Sequence, residues 1–180
     1  ILFNHEGTKR GEEFVTRKIT KGVARIKKSI DTRTPTETTE PIELGNLEAK
    51  RDWSDSEDFV EGVWLMVNQE SPKDYILSSG ETHTIREFVS KAFRYAGISG
   101  SWTDVEGDPL RTKFILNSSR YEPLVVINEE FYRPAEVDLL LGDSTPIREE
   151  LGWSPKVSFD KLVEKMVNFD VELQERQSSK

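Results

Sequence analysis

Basic residues stand beside aromatic or turn residues at several points of an otherwise acidic chain: Arg10, Arg17 with Lys18, Lys50 with Arg51 just before Trp53, and Arg133 before Pro134. Arginine's planar fork matches the oxygens of a phosphate, while a solvated helix face would more often carry lysine in helical register. Taken singly, each reads as a surface charge whose stem packs on a ring. Taken together, they read as a clamp for a diphosphate or nucleotide. Glu136, close behind Arg133, either pairs with that arginine or accepts hydrogen bonds from a base or a sugar hydroxyl. Asp138 and Asp143 read as turn or capping residues. On composition alone, His5 reads as a strand-end residue satisfied by a backbone carbonyl.

Any such phosphate site must be focal. The chain of 180 residues carries 33 acidic against 25 basic side chains, a formal charge of -8. That balance disfavours a broad grip on nucleic acid or anionic lipid but leaves room for a local basic pocket. There is no cysteine, so neither a disulfide nor a thiolate metal site is available, and the cytosol is the simplest compartment. The two histidines, His5 and His83, are far apart in sequence, and no metal site is expected. No apolar run approaches the roughly 18 to 20 residues of a membrane helix, and no signal peptide opens the chain. A soluble, cytoplasmic protein with neither nucleic-acid nor membrane partners is expected.

The elements that must hold these residues follow from periodicity. Ile1-Leu2-Phe3 reads as a buried strand end, followed by a loop punctuated by Gly7 and Gly11. From Phe14, apolar Val15, Ile19, Val23 and Ile26 recur at helical spacing. Residues 31 to 41 are Thr-rich and bounded by charge and proline, an exposed loop. Ile42 to Leu47 predicts a short strand. Ser54 to Glu57 has the form of a capping box, opening a helix whose stripe is Phe59, Val60, Val63, Trp64 and Val67. Tyr75 to Leu77 predicts a strand running into a turn.

Thr84 to Glu87 repeats the capping-box signal before a helix with Ile85, Phe88, Val89, Ala92, Phe93 and Ala96 on one face, stopped at Gly97. Residues 98 to 123 show no sustained period and predict a loop with little strand. PLVVIN is a strand; Pro146 opens a short helix ending at Gly152; Ser158 caps the last helix, with Phe159, Leu162, Val163, Met166 and Val167 inward. Alternating strands and capped helices predict an α/β fold without internal repeats.

LFNHE, RG followed by FVTRKI, LGNLEAKRDW, DFVEGVWLM, SSGETHTIREFV, FYRPAEVDLLLGD and LGWSPKVSFDKLVEKMV occur in this order over nearly the whole chain. In that series the sequence resembles the carboxyl-terminal half of the GDP-mannose 4,6-dehydratases, of the extended short-chain dehydrogenase/reductase class. The resemblance implies one unit over residues 1–180: the last strands of a Rossmann sheet plus a small substrate-binding domain, with the N-terminal dinucleotide-binding half absent. It also makes 31–41 an inserted loop. It implies conversion of GDP-mannose to GDP-4-keto-6-deoxymannose plus water with tightly bound NADP, on the way to sugars such as GDP-fucose. A homodimer or homotetramer is implied at full length.

Carried over by position, the resemblance places His5 and Arg10 on the NADP side and Asn4 near the sugar. Val15, Lys18, Arg51, Arg133 and Glu136 then surround the GDP moiety. The family's Tyr-x-x-x-Lys, Thr-x-Glu and Gly-rich dinucleotide turn have no counterpart here; Thr38-Thr39-Glu40 matches only formally. In the family those elements lie upstream of LFNHE. The expectation is therefore a piece without catalytic residues of its own, inactive alone, needing its own N-terminal half as partner and exposing apolar surface where that half belongs. Departures are the 29–41 segment, Ser54 where glycine is usual, and the region from Pro109 to Pro123. Another nucleotide-sugar epimerase or dehydratase, or a non-catalytic nucleotide-sugar-binding fragment, is the alternative.

Overall fold

The computed structural model describes residues 1–32, 40–118, 122–132, 137 and 139–178. In chain order the elements are β1 Asn4–Glu6, α1 Val15–Thr32, β2 Ile42–Leu44, β3 Lys50–Arg51, β4 Trp53–Asp55, α2 Ser56–Val67, β5 His83–Thr84 and α3 Ile85–Tyr95. They continue with β6 Gly100–Thr103, β7 Lys113–Leu116, β8 Pro123–Ile127, β9 Leu139–Leu140, α4 Thr145–Leu151 and α5 Phe159–Ser178. Three small sheets result: β1-β4, parallel; β2-β8-β7-β6; and β5-β3-β9.

The larger core joins α1, α3 and α5 to the four-stranded sheet. Ile19, Val23, Phe88, Phe93, Leu162 and Met166 are all fully buried there, each contributing about 1.5–3 kcal/mol of transfer free energy. The stripes read for α1, α3 and α5 are the buried faces. Thr84 and Glu87 form the expected capping box, the hydroxyl accepting from Glu87 N at 3.0 Å and the carboxylate from Thr84 N at 2.9 Å. Gly152 closes α4 in the left-handed region, φ 66°, where a side chain would be strained.

A polar contact fastens α1 to α5 inside that core. Asp170 receives the Thr20 hydroxyl at 2.7 Å and lies 2.8 Å from the Arg17 guanidinium, which also donates to Thr8 O. Burial raises the Asp170 carboxyl above its ordinary range, against the lowering effect of Thr20 and Arg17. Arg17 is thus a structural residue and not a phosphate station. A second cluster, Phe59, Tyr75, Leu77, Ile147 and Trp153, lies beneath α2 and α4. Trp153 Nε1 donates to Asp58 O at 2.9 Å, and Asp58 Oδ2 accepts from Lys156 N and Val157 N.

Several expectations change. Ile1 and Leu2 are 77% and 46% exposed rather than a buried strand end, and they run beside Leu77, to which Leu2 forms a single bridge. α2 is capped by Asp55, which accepts from Glu57 N at 2.8 Å, while Ser54 is spent in β4. Only Phe59 of its predicted stripe is buried, packed with Leu77 and Trp153, while Val60, Val63, Trp64 and Val67 are exposed. Residues 98–123 supply an antiparallel pair, β6 with β7, whose four-residue strands are too short to show a period. Of the segment 31–41, Asp31 and Thr32 finish α1, and residues 33–39, including Thr38 and Thr39, lie outside the described residues.

Replacing Asp170 by alanine strands a buried guanidinium. A loss of about 3–5 kcal/mol is expected, read by urea denaturation; a loss under about 1 kcal/mol would mean that the pair does not hold the helices together.

Candidate functional site

β1 delivers a polar segment to the surface of the molecule. Asn4, His5 and Arg10, with Ile1, Leu2, Phe3 and Leu140, line an open cavity of about 360 Å³. His5 lies opposite Ser54 in the parallel β1-β4 register, and its ring stacks on Phe59 at 5.4 Å between centroids. Its Nδ1 is 2.9 Å from Phe3 O. A carbonyl only accepts, so Nδ1 carries the proton and Nε2 of the neutral ring is left as an acceptor. The strand-end carbonyl expected for His5 is present, and it sets the tautomer.

Arg10 lies over the Phe14 ring, 3.5 Å from its centroid, with Nε 3.2 Å from Glu6 Oε2. That Nε makes no hydrogen bond of acceptable angle. Glu6 is 1% exposed and receives the Thr16 hydroxyl at 2.5 Å. Burial lifts its carboxyl above the ordinary range, with Thr16, then Arg10, then His5 opposing. Neither Glu6, Phe14 nor Thr16 was singled out from sequence. The one available signal was an acid at the inward register of a strand.

Arg51 lies on β3, paired with Leu140 of β9, which also lines the cavity. It donates to Val137 O at 2.6 Å and to Lys50 O at 2.8 Å. Arg51 is thereby held against the segment that follows Arg133 and Glu136; those two residues, with Asp138, lie outside the described residues. Asp52, next in line, is fully buried. It accepts from Ser79 N at 2.7 Å, Ser79 Oγ at 2.6 Å, Gly80 N at 3.0 Å and Gly142 N at 3.3 Å.

Lys18 belongs to a different depression, an open groove of about 540 Å³ shared with Gly22, Arg25 and Glu43. Its Nζ sits 3.9 Å from the Phe131 ring centroid. Burial lowers its ammonium below the ordinary range, and Glu43 opposes this. Phe131 can lie there because residue 45 is glycine: a Cβ would come 2.1 Å from Phe131 O. Val15, the first residue of α1, is partly buried and packs on the larger core. The structure thus gathers Asn4, His5 and Arg10 at one cavity, with Arg51 one strand away, and leaves Lys18 and Val15 outside its lining. Among the described residues there is no cluster able to hold a metal ion and no helix long and apolar enough to cross a membrane.

Solved structures share this arrangement. RMD from Pseudomonas aeruginosa, complexed with NADPH, superposes with a TM-score of 0.70 at 18% identity, over 96% of this chain and 47% of that one. UDP-glucose 4-epimerase from Thermotoga maritima gives 0.64 at 18% identity, over 99% and 45%. The fold is that of the carboxyl-terminal part of an extended short-chain dehydrogenase/reductase.

Sequence narrows the class. The family model described as GDP-mannose 4,6 dehydratase matches residues 1–166. GDP-mannose 4,6 dehydratase of Drosophila melanogaster is 44% identical over 96% of this chain and 41% of its own length; that of Homo sapiens is 42% identical over 96% and 43%. The chain belongs to the GDP-mannose 4,6 dehydratase family, and it spans less than half the length of these relatives.

Glu6 gives a pH test of the site. A folded-state carboxyl above its unfolded value adds stability at low pH that is lost as pH rises through the raised value. Glu6→Gln cannot ionise, so its melting temperature relative to the unaltered chain is expected to be higher at pH 8 than at pH 4. An equal difference at both pH values would show that Glu6 ionises without a burial penalty.

Proposed function

We propose that this chain is the GDP-sugar-binding portion of a GDP-mannose 4,6-dehydratase, which turns GDP-mannose into GDP-4-keto-6-deoxymannose and water. The observation that carries the reading is the convergence of Asn4, His5 and Arg10 on one cavity beside the strand of Arg51. In this reading His5 and Arg10 hold the cofactor rim and Asn4 meets the sugar. Val15, Lys18, Arg51, Arg133 and Glu136 surround GDP.

The residues present fit a nicotinamide dinucleotide. Arg10 offers a cation beside an acceptor nitrogen of His5, which suits phosphate oxygens next to ribose hydroxyls. We take the dinucleotide to be NADP, in keeping with the NADPH bound by the Pseudomonas relative. When bound, held by His5 and Arg10, it would supply reversible hydride exchange with the sugar. The task of this chain is orientation: fixed cations on the diphosphate convert a floppy ligand into one whose sugar is held for reaction.

The acid–base residues, Tyr-x-x-x-Lys and Thr-x-Glu, come in this reading from an N-terminal half that docks on the same face. Its support is the exposed apolar stripe of α2, with Ile1 and Leu2 beside a parallel sheet of two strands. Parallel sheets are ordinarily covered on both faces. The joined protein is a cytoplasmic homodimer or homotetramer.

Steady GDP-mannose consumption by the 180-residue chain alone, with NADP added, would overturn this division of labour. In the full-length protein, Lys18→Ala and Arg51→Ala are each expected to weaken GDP binding about tenfold or more, since hydrogen bonds to charged groups contribute about 1.5–3 kcal/mol. Isothermal titration with GDP measures this, and unchanged affinity in both variants would remove them from the GDP site.

A further inference from the structure

A glutamate is a costly occupant for a fully buried strand position, since desolvating a carboxylate is unfavourable unless strong partners compensate. Glu6 has two partners with distinct chemistry. Thr16, at the start of α1, donates its hydroxyl to Oε2 at 2.5 Å, and Arg10 places Nε 3.2 Å from the same oxygen. The other side of the guanidinium is taken by the Phe14 ring at 3.5 Å. Arg10 is thus ion-paired at its stem end and covered on one face. Among the described residues its two terminal amino groups have no hydrogen-bond partner, while the side chain lines the cavity of Asn4 and His5.

We propose that Glu6 is a positioning residue: with Phe14 it holds the Arg10 guanidinium so that its terminal amino groups remain available to the cofactor's phosphate oxygens. The inference rests on the reading that Arg10 lies on the cofactor side. A guanidinium fixed on two sides loses little side-chain entropy on taking a phosphate, whereas a free arginine gives up rotamer freedom in doing so. A loop staple would need only the Thr16 contact. Arg10, held against the same oxygen and left with free donors at the cavity, is what a staple does not explain.

The test is NADPH titration, followed by nucleotide fluorescence, on the full-length dehydratase and its Glu6→Gln, Phe14→Leu, Arg10→Ala and Glu6→Gln/Arg10→Ala variants. Phe14 is 41% exposed, so its replacement leaves folding intact and guards against a misfolded Glu6 variant. Glu6→Gln is expected to weaken NADPH binding about tenfold and Phe14→Leu a few-fold, with Arg10→Ala at least as severe as either. In the double variant, Glu6→Gln is expected to add nothing to Arg10→Ala, because a residue acting through another loses its effect when that other is gone. The inference is overturned if Glu6→Gln binds NADPH normally, or if its loss persists undiminished beside Arg10→Ala, which marks a general structural role. If Arg10→Ala itself binds normally, the cofactor-side reading of Arg10 falls and the inference falls with it.

Discussion

Asp52 is a fully buried carboxyl whose hydrogen-bond donors are all neutral, and the ground beneath the site is arranged to satisfy it. Its carboxylate accepts two backbone N–H groups and a hydroxyl from the Ser79-Gly80 turn and a fourth bond from Gly142. A buried acceptor left without these donors would cost about 1–3 kcal/mol, so the four bonds tie three distant segments to one point. Gly142 is required at that point because a Cβ would come 2.4 Å from Ser78 Cβ. The Asp52 backbone N–H adds a bond to Leu140 O at 3.0 Å. Leu140 is both a wall of the Asn4–His5–Arg10 cavity and the strand partner of Arg51.

Around this anchor, the cations meet different partners. Arg17 is absorbed by Asp170 and Thr8 O, and Arg86 by Glu48 and Asp104, so both serve packing. Lys18 instead rests on the Phe131 ring, and Arg10 lies on the Phe14 ring while its Nε meets the Glu6 carboxylate. A ring face attracts a cation without neutralising it. Arg17 and Lys18 make the contrast sharp, being neighbours in sequence. One turns toward α5 and the other toward the groove, because successive positions on a helix point about 100° apart.

The helical part of the fold was legible because burial leaves a period. α1, α3 and α5 each bury a face that the 3.6-residue repeat identifies, and the Thr84 capping box is a local signal between residues three apart. β6 and β7 left no such trace at four residues each, and their pairing is a contact made across the intervening turn. The stripe on α2 was read as apolar, and it is. Amphipathic pattern shows which face avoids water and says nothing of what covers it.

For the site, sequence alone determined the residue types, their order and the family: the focal cations, the Asn-His-Glu segment and the absence of cysteine are one-dimensional facts. It also placed Asn4, His5 and Arg10 close together, since they share one short stretch. Which charges are free was decided only by tertiary structure. Asp170 lies 153 residues from Arg17, Phe131 lies 113 from Lys18, and Gly142 lies 90 from Asp52. Over such separations, which side chain meets a given charge is settled by how helices and strands pack.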